Sequence, residues 1–232
     1  MANENVSQGP VTAEFESRIA QELGVPYVVA TTSGSTALLM ALIAVGVGPG
    51  DEVIVPPFTM SASVVAPLIY GGIPVFVDIE PDTFCLDVEA VSQAITSRTK
   101  AIIAVNLFGN PCPIDDLTEV CKRNAIPLLF DSAQAFGSLY MGKAVGGFGV
   151  AEIFSLHATK VLSTLEGGMI TTNDSKLYDR LRLMRNFGFA GYDHVVSLGI
   201  NGKMSELAAG IGLAALAEVD ERIPRVVKAG IP

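Results

Sequence analysis

The segment Phe154-Ser155-Leu156-His157-Ala158-Thr159-Lys160 ends on a lysine and is followed by Glu166-Gly167-Gly168; upstream stands Asp131-Ser132-Ala133-Gln134. A lysine amine can hold a carbonyl cofactor as a Schiff base. A buried carboxylate can pair with a protonated pyridine nitrogen and keep the ring an electron sink. Together the two residues point to pyridoxal 5'-phosphate. Singly, a lysine is most often a solvated surface charge, and an Asp after an apolar run is most often a helix cap. The joint placement of Lys160 and Asp131 therefore carries the reading.

Such a cofactor also needs a site for its phosphate. Thr32-Ser33-Gly34-Ser35-Thr36-Ala37 lies where a strand should pass into a helix. Backbone N–H groups and hydroxyls at a helix N-terminus suit an anion, although Ser and Thr begin many helices simply as caps. The pattern is neither the glycine fingerprint of a dinucleotide fold nor a P-loop. Ser155, five residues before Lys160, brings a second hydroxyl to the end of a strand.

The elements that must position these residues are legible as alternation. Short apolar runs, mostly β-branched and bounded by Gly, Pro or Asp, occur at 27–30, 52–55, 74–77, 101–105, 127–130, 152–154 and 168–170. Stretches of helical length fall at 36–45, 61–70, 87–97 and 114–124, with later helices from about Asp174 and from Ser205 to Val219. This predicts an α/β fold, a three-layer α/β/α arrangement with a mostly parallel sheet of about seven strands. Catalytic groups should gather where strands end and helices begin, and Asp131 directly follows such an end. The glycine-dense piece 137–149 reads as a turn or small hairpin.

Composition narrows the partners. The chain has 232 residues, 50% hydrophobic and 17% charged, with net charge −9 and scattered Lys and Arg. Nucleic acid and anionic membrane surfaces are poor partners for it. The most tempting membrane segment, Ala37 to Val47, is well short of the roughly 20 residues of a spanning helix. Cys85, Cys112 and Cys121 have no metal-like spacing and suit reduced thiols in a cytoplasm; no metal site is expected. Met1-Ala2-Asn3-Glu4-Asn5 lacks the basic start of a signal peptide.

With these residues in view, the chain resembles the DegT/StrS-type nucleotide-sugar aminotransferases, which have the aspartate aminotransferase-like fold (type I). The resemblance runs from Ser7-Gln8-Gly9-Pro10 through Gly50-Asp51-Glu52-Val53-Ile54-Val55-Pro56, the Asp131 and Lys160 segments, to Asn201-Gly202-Lys203-Met204-Ser205. It implies that Lys160 holds the cofactor and shuttles a proton, that Asp131 bonds the pyridine nitrogen and that Gln134 lies near the 3' oxygen. Gly34, Ser35, Thr36 and Ser155 would cradle the phosphate, with Asn201 supplied by the partner subunit of a homodimer. The implied reaction moves an amino group from glutamate to a nucleotide-linked keto-sugar. The branch of relatives with histidine in place of the lysine, which are dehydratases, is disfavoured by Lys160.

Two features depart from the family pattern. Many relatives carry an aromatic after the threonine of Phe58-Thr59-Met60. Here Met60 would cover the ring, and Phe58 could be a core residue. His157 is close enough to Lys160 to reach cofactor or substrate, although a hydrogen-bonded scaffold histidine explains it equally well. The second departure is length: an arm over 1–15, a cofactor-binding large domain over 16–222 and a tail over 223–232 leave no sequence for the family's small C-terminal domain. Two rival readings follow. One is a cofactor-binding fragment without transaminase activity; the other is a non-pyridoxal α/β nucleotide-sugar enzyme.

Overall fold

The structure is a computed structural model that describes residues 6–223. The chain begins with helix α1 (Pro10–Leu23), which has proline in its first turn and stops at Gly24 in the left-handed region, φ 64°. Phe15, Ile19 and Leu23 recur every four residues and turn one buried face to the core. This helix crosses the expected boundary between arm and domain at 15/16. All but Ile223 of the expected tail lies outside the described residues.

Strands β1 (Tyr27–Thr31), β2 (Glu52–Val55), β3 (Ile73–Phe76), β4 (Thr99–Val105), β5 (Leu128–Asp131), β8 (Ala151–Ser155) and β9 (Gly168–Thr172) form one seven-stranded sheet in the order β1-β9-β8-β5-β4-β2-β3. β9 alone runs opposite to the other six strands, so the sheet is mostly parallel. Between β5 and β8 the glycine-dense segment makes the hairpin β6 (Leu139–Tyr140) and β7 (Lys143–Ala144). Most of the strands read as continuous apolar runs because both faces are covered. β3 is the exception: at the sheet edge it leaves Ile73 and Phe76 exposed, and an edge tolerates Pro74.

Helices α2 (Gly34–Ala44), α3 (Ser61–Ile69) and α6 (Ser175–Arg185) cover one face, packing on Val29, Val53, Ile103, Leu129 and Ile153. The other face carries α1 and α7 (Glu206–Leu216) at one end and α4 (Val88–Ala94) and α5 (Ile114–Asn124) at the other. This is the three-layer arrangement read from the sequence. Glu206 ties two helices together: its carboxylate accepts from the N–H groups of Gly9, Val11 and Thr12 and from the Thr12 hydroxyl, capping α1 from the first turn of α7. Parallel order brings the carboxyl ends of β1, β2, β4, β5 and β8, and the start of β9, to one edge.

Candidate active site

At that edge lies a cavity of about 590 Å³, within the range of small-molecule sites. Asp131, the last residue of β5, is 4% exposed on its floor. Its Oδ2 accepts from the Ser63 hydroxyl at 2.7 Å and its Oδ1 from the Ala133 N–H at 3.1 Å. Burial raises the pKa of this carboxyl, opposed by those two donors and by the charge of Lys160. Among the described residues Asp131 makes no ion pair.

Lys160 is half-buried in the wall of the same cavity, in a turn after β8 where its N–H donates to the His157 carbonyl at 2.9 Å. His157 Nδ1 accepts from the Thr159 N–H at 3.3 Å and lies 3.0 Å from its hydroxyl. That leaves Nε2 turned to Glu166, 3.6 Å from its Oε1. This pair sits on the exposed rim, and both residues line the cavity.

The opposite wall is the start of α2. Ser33 caps it by accepting from the Thr36 N–H at 3.1 Å, and the N–H groups of Gly34 and Ser35 have no acceptor among the described residues. Ser155, the last residue of β8, closes on this turn so tightly that a Cβ on Gly34 would stand 3.1 Å from the Ser155 Cβ. Gly168 packs behind: a Cβ there would lie 2.4 Å from the Gly34 nitrogen. Two glycines thus let strand and helix backbones meet around an N–H pocket.

The remaining sequence-selected residues divide. Gln134 lines the cavity, and its Oε1 accepts from the Phe108 N–H at 2.9 Å. This bond holds a tight turn in which Phe108 has φ 53°. Met60 lines the mouth and is 74% exposed. Phe58 is not a core residue: it is 47% exposed and packs against Phe84 and Phe108 at 5.5 and 6.4 Å between ring centroids. Thr36 lies outside the lining, its hydroxyl bonded to those of Thr32 and Ser33. Asn201 is exposed, lies away from the cavity and accepts from Lys203 Nζ at 2.7 Å.

Ser63 and Asn106 were not selected from the sequence, yet Ser63 grips Asp131 and Asn106 lines the floor. The signal for Asn106 was its place directly after a strand, the same signal that marked Asp131. The three cysteines are free and buried, and no acid, thiol and histidine cluster able to hold a metal occurs among the described residues.

These residues fit pyridoxal phosphate. A buried, unpaired carboxylate at one end of the cavity calls for a cationic ring N–H, the amine of Lys160 answers a carbonyl, and the N–H pocket beside Ser155 answers a phosphate.

Comparison with known proteins agrees with that chemistry. The model of the DegT/DnrJ/EryC1/StrS aminotransferase family matches residues 1–229. The GDP-perosamine synthase of Escherichia coli O157:H7 is 41% identical over 222 residues, 94% of this chain and 61% of the synthase. DesI, solved in the presence of its TDP-sugar product, superposes with TM-score 0.88 at 40% identity over 94% of this chain and 55% of its own. Spr1654 of Streptococcus pneumoniae in its PLP form gives TM-score 0.89 at 32% identity, over 95% and 62%. The chain thus spans about 60% of the length of such relatives.

Proposed function

Because the chain belongs to the DegT/DnrJ/EryC1/StrS aminotransferase family, we propose that its cavity holds pyridoxal 5'-phosphate and serves the transfer of an amino group from glutamate to a nucleotide-linked keto-sugar. The observation that carries the reading is Asp131, a buried carboxylate without an ion-pair partner that faces the same cavity as Lys160. GDP-perosamine synthase and the TDP-sugar product of DesI support a nucleotide-linked sugar as acceptor. When bound, the cofactor supplies an electron sink for charge that develops at the carbon bearing the amino group.

The chain's own residues bind, orient and move protons. Lys160 Nζ would hold the cofactor and, when neutral and released, would carry a proton from the amino-bearing carbon of the donor to the cofactor and, in the second half-reaction, from the cofactor to the acceptor carbon. Asp131, fixed by Ser63 and Ala133, keeps the ring nitrogen protonated. The N–H groups of Gly34 and Ser35 and the Ser155 hydroxyl bind the phosphate, with Thr36 steadying Ser33 behind them. The Gln134 amide oxygen is already engaged by Phe108, which leaves its amide N–H groups to donate to the 3' oxygen. Met60 covers the ring from the mouth, and His157 stands where substrate enters.

Asn201 serves the cavity of a second copy in this reading, so the active unit is a homodimer. No helix among the described residues is long and apolar enough to cross a membrane. Three free thiols suit the cytoplasm.

The test is an absorbance titration of the purified protein loaded with pyridoxal phosphate. Glutamate should convert the visible band of the bound cofactor to that of its amine form, and a keto-sugar nucleotide should restore it. A loaded protein whose spectrum ignores glutamate would be the cofactor-binding chain without transaminase activity. Failure to take up the cofactor at all would sink both readings.

A further inference from the structure

Behind Asp131 runs a buried chain of polar groups that the proposed chemistry does not use. Asn106, on the cavity floor, donates through Nδ2 to the Ser132 hydroxyl at 2.8 Å, and that hydroxyl donates to Glu152 Oε2 at 2.7 Å. Glu152 Oε1 accepts from the N–H groups of Gly146 at 2.8 Å and Phe148 at 2.7 Å. Asn106 Oδ1 accepts from the Cys112 N–H at 2.9 Å, and the Asn106 N–H donates to the Asp131 carbonyl at 3.0 Å. Asn106, Ser132 and Glu152 are at most 1% exposed, so the chain must satisfy itself internally.

Its direction depends on charge. Ser132 has one hydroxyl hydrogen and already receives one from Asn106. With Glu152 ionised that hydrogen goes to Oε2 and every group is paired. With a proton on Oε2, both neighbours point hydrogens at the Ser132 oxygen and its own hydrogen is left without an acceptor.

The surroundings do not compensate the charge. Across the sheet Glu152 faces Phe130 of β5 and Thr171 of β9, and the turn offers only the two N–H groups. The nearest titratable side chain on those strands is Asp131, beside Phe130, and no Lys, Arg or His among the described residues is bonded to Glu152. Burial pushes its carboxyl up to about 7 against the hydrogen bonds from Phe148, Ser132 and Gly146.

We propose that Glu152 is a positioning residue for this cavity: its ionised carboxylate, acting through Ser132, holds the Asn106 amide and the end of β5 in the arrangement that receives the cofactor. The proposal rests on the cofactor reading given above. Acidification through about 7 turns the Ser132 hydroxyl, loosens Asn106 and weakens cofactor binding.

Glu152→Gln tests this, because the glutamine keeps an oxygen for the two N–H groups and presents a donor to Ser132, as the protonated acid does. The measurement is pyridoxal phosphate affinity of the wild type and E152Q at about pH 6 and about pH 8, one unit either side of the value burial gives Glu152. The ratio of the two dissociation constants should be near one at the acid value. At the alkaline value it should be about threefold to tenfold, the worth of one buried hydrogen bond. S132A, which cuts the link and leaves Glu152 in place, should show the same rise.

A ratio that does not change with pH, as from a merely structural role, would overturn the proposal. If the wild type binds no pyridoxal phosphate, the cofactor reading itself fails and this proposal with it, so the two failures are distinct. Infrared titration of the cofactor-free protein adds a second readout. In the D131N background, which removes the buried carboxyl of the cavity floor, a carboxylic acid band should vanish as pH rises through about 7 and be absent once E152Q is added; its absence from D131N alone would count against the proposal.

Discussion

The carboxylate of Asp131 is gripped by one hydroxyl and one backbone N–H on the cavity floor, where it is 4% exposed. With no ion-pair partner among the described residues, such a group costs the folded state stability. Its raised pKa fixes the sign: the stability linked to this carboxyl is fully present below its unfolded value and is lost as pH rises through the folded one. The cofactor-free D131N protein should therefore melt above the wild type at neutral pH. Its affinity for pyridoxal phosphate should fall by about tenfold or more, the worth of a charged hydrogen bond of ~1.5–3 kcal/mol. Calorimetry and fluorescence titration read the two effects, and a D131N protein that binds as well as the wild type would contradict the assigned partner. Asp131, Gln134, Ser155 and Lys160 were legible because each sits in a short contiguous segment whose residue types already suggest chemistry. Ser63 and Glu152 were not, since only the packing of α3 and the order of the strands bring them to Asp131 and its neighbour Ser132, while Asn106 was marked by nothing more than its place directly after a strand.

At the scale of elements, the proposed phosphate corner depends on backbone approach. Gly34→Ala would place a methyl 3.1 Å from the Ser155 Cβ and 3.3 Å from its Cα, where backbone as well as side chain must give way. An overpacking cost of about 1–3 kcal/mol is expected, with weaker cofactor binding. A G34A protein with unchanged melting and unchanged affinity would rule out the tight corner. The tie between α1 and α7 makes a separate prediction. Burial alone would raise the Glu206 carboxyl, but the hydrogen bonds from Thr12, Val11 and Gly9 together hold it below its ordinary value. Its stabilisation is thus present above the unfolded value and lost as pH falls through the folded one. E206Q should melt below the wild type near neutrality, and the two curves should converge in acid; a gap independent of pH would mean that charge plays no part. Helix α1 was itself open to sequence reading. Phe15, Ile19 and Leu23 keep helical spacing, Pro10 starts the helix and Gly24 stops it, so an arm boundary at 15/16 cuts through an amphipathic element.

For the molecule as a whole, the alternation of apolar runs and helical stretches was enough to give the three layers. It could not give the strand order that places β4, β5 and β8 side by side. That order is a long-range choice made by packing, and it is what turns separate motifs into one cavity. The surface carries a further expectation. Tyr192 is fully exposed, and Val195, Val196 and Leu198 of the same loop are largely open, an apolar strip that a second copy would cover in the proposed homodimer. Sedimentation should give twice the mass of the chain, and Y192D should shift it toward the monomer; a wild type that stays monomeric at high concentration would contradict the shared site. In the proposed function this cavity carries pyridoxal phosphate on one lysine, Lys160. Borohydride reduction of the loaded protein, followed by peptide mapping, tests it most directly. A phosphopyridoxyl group should appear on the peptide that contains Lys160, and an adduct on another lysine, or none, would rule that residue out as the carrier.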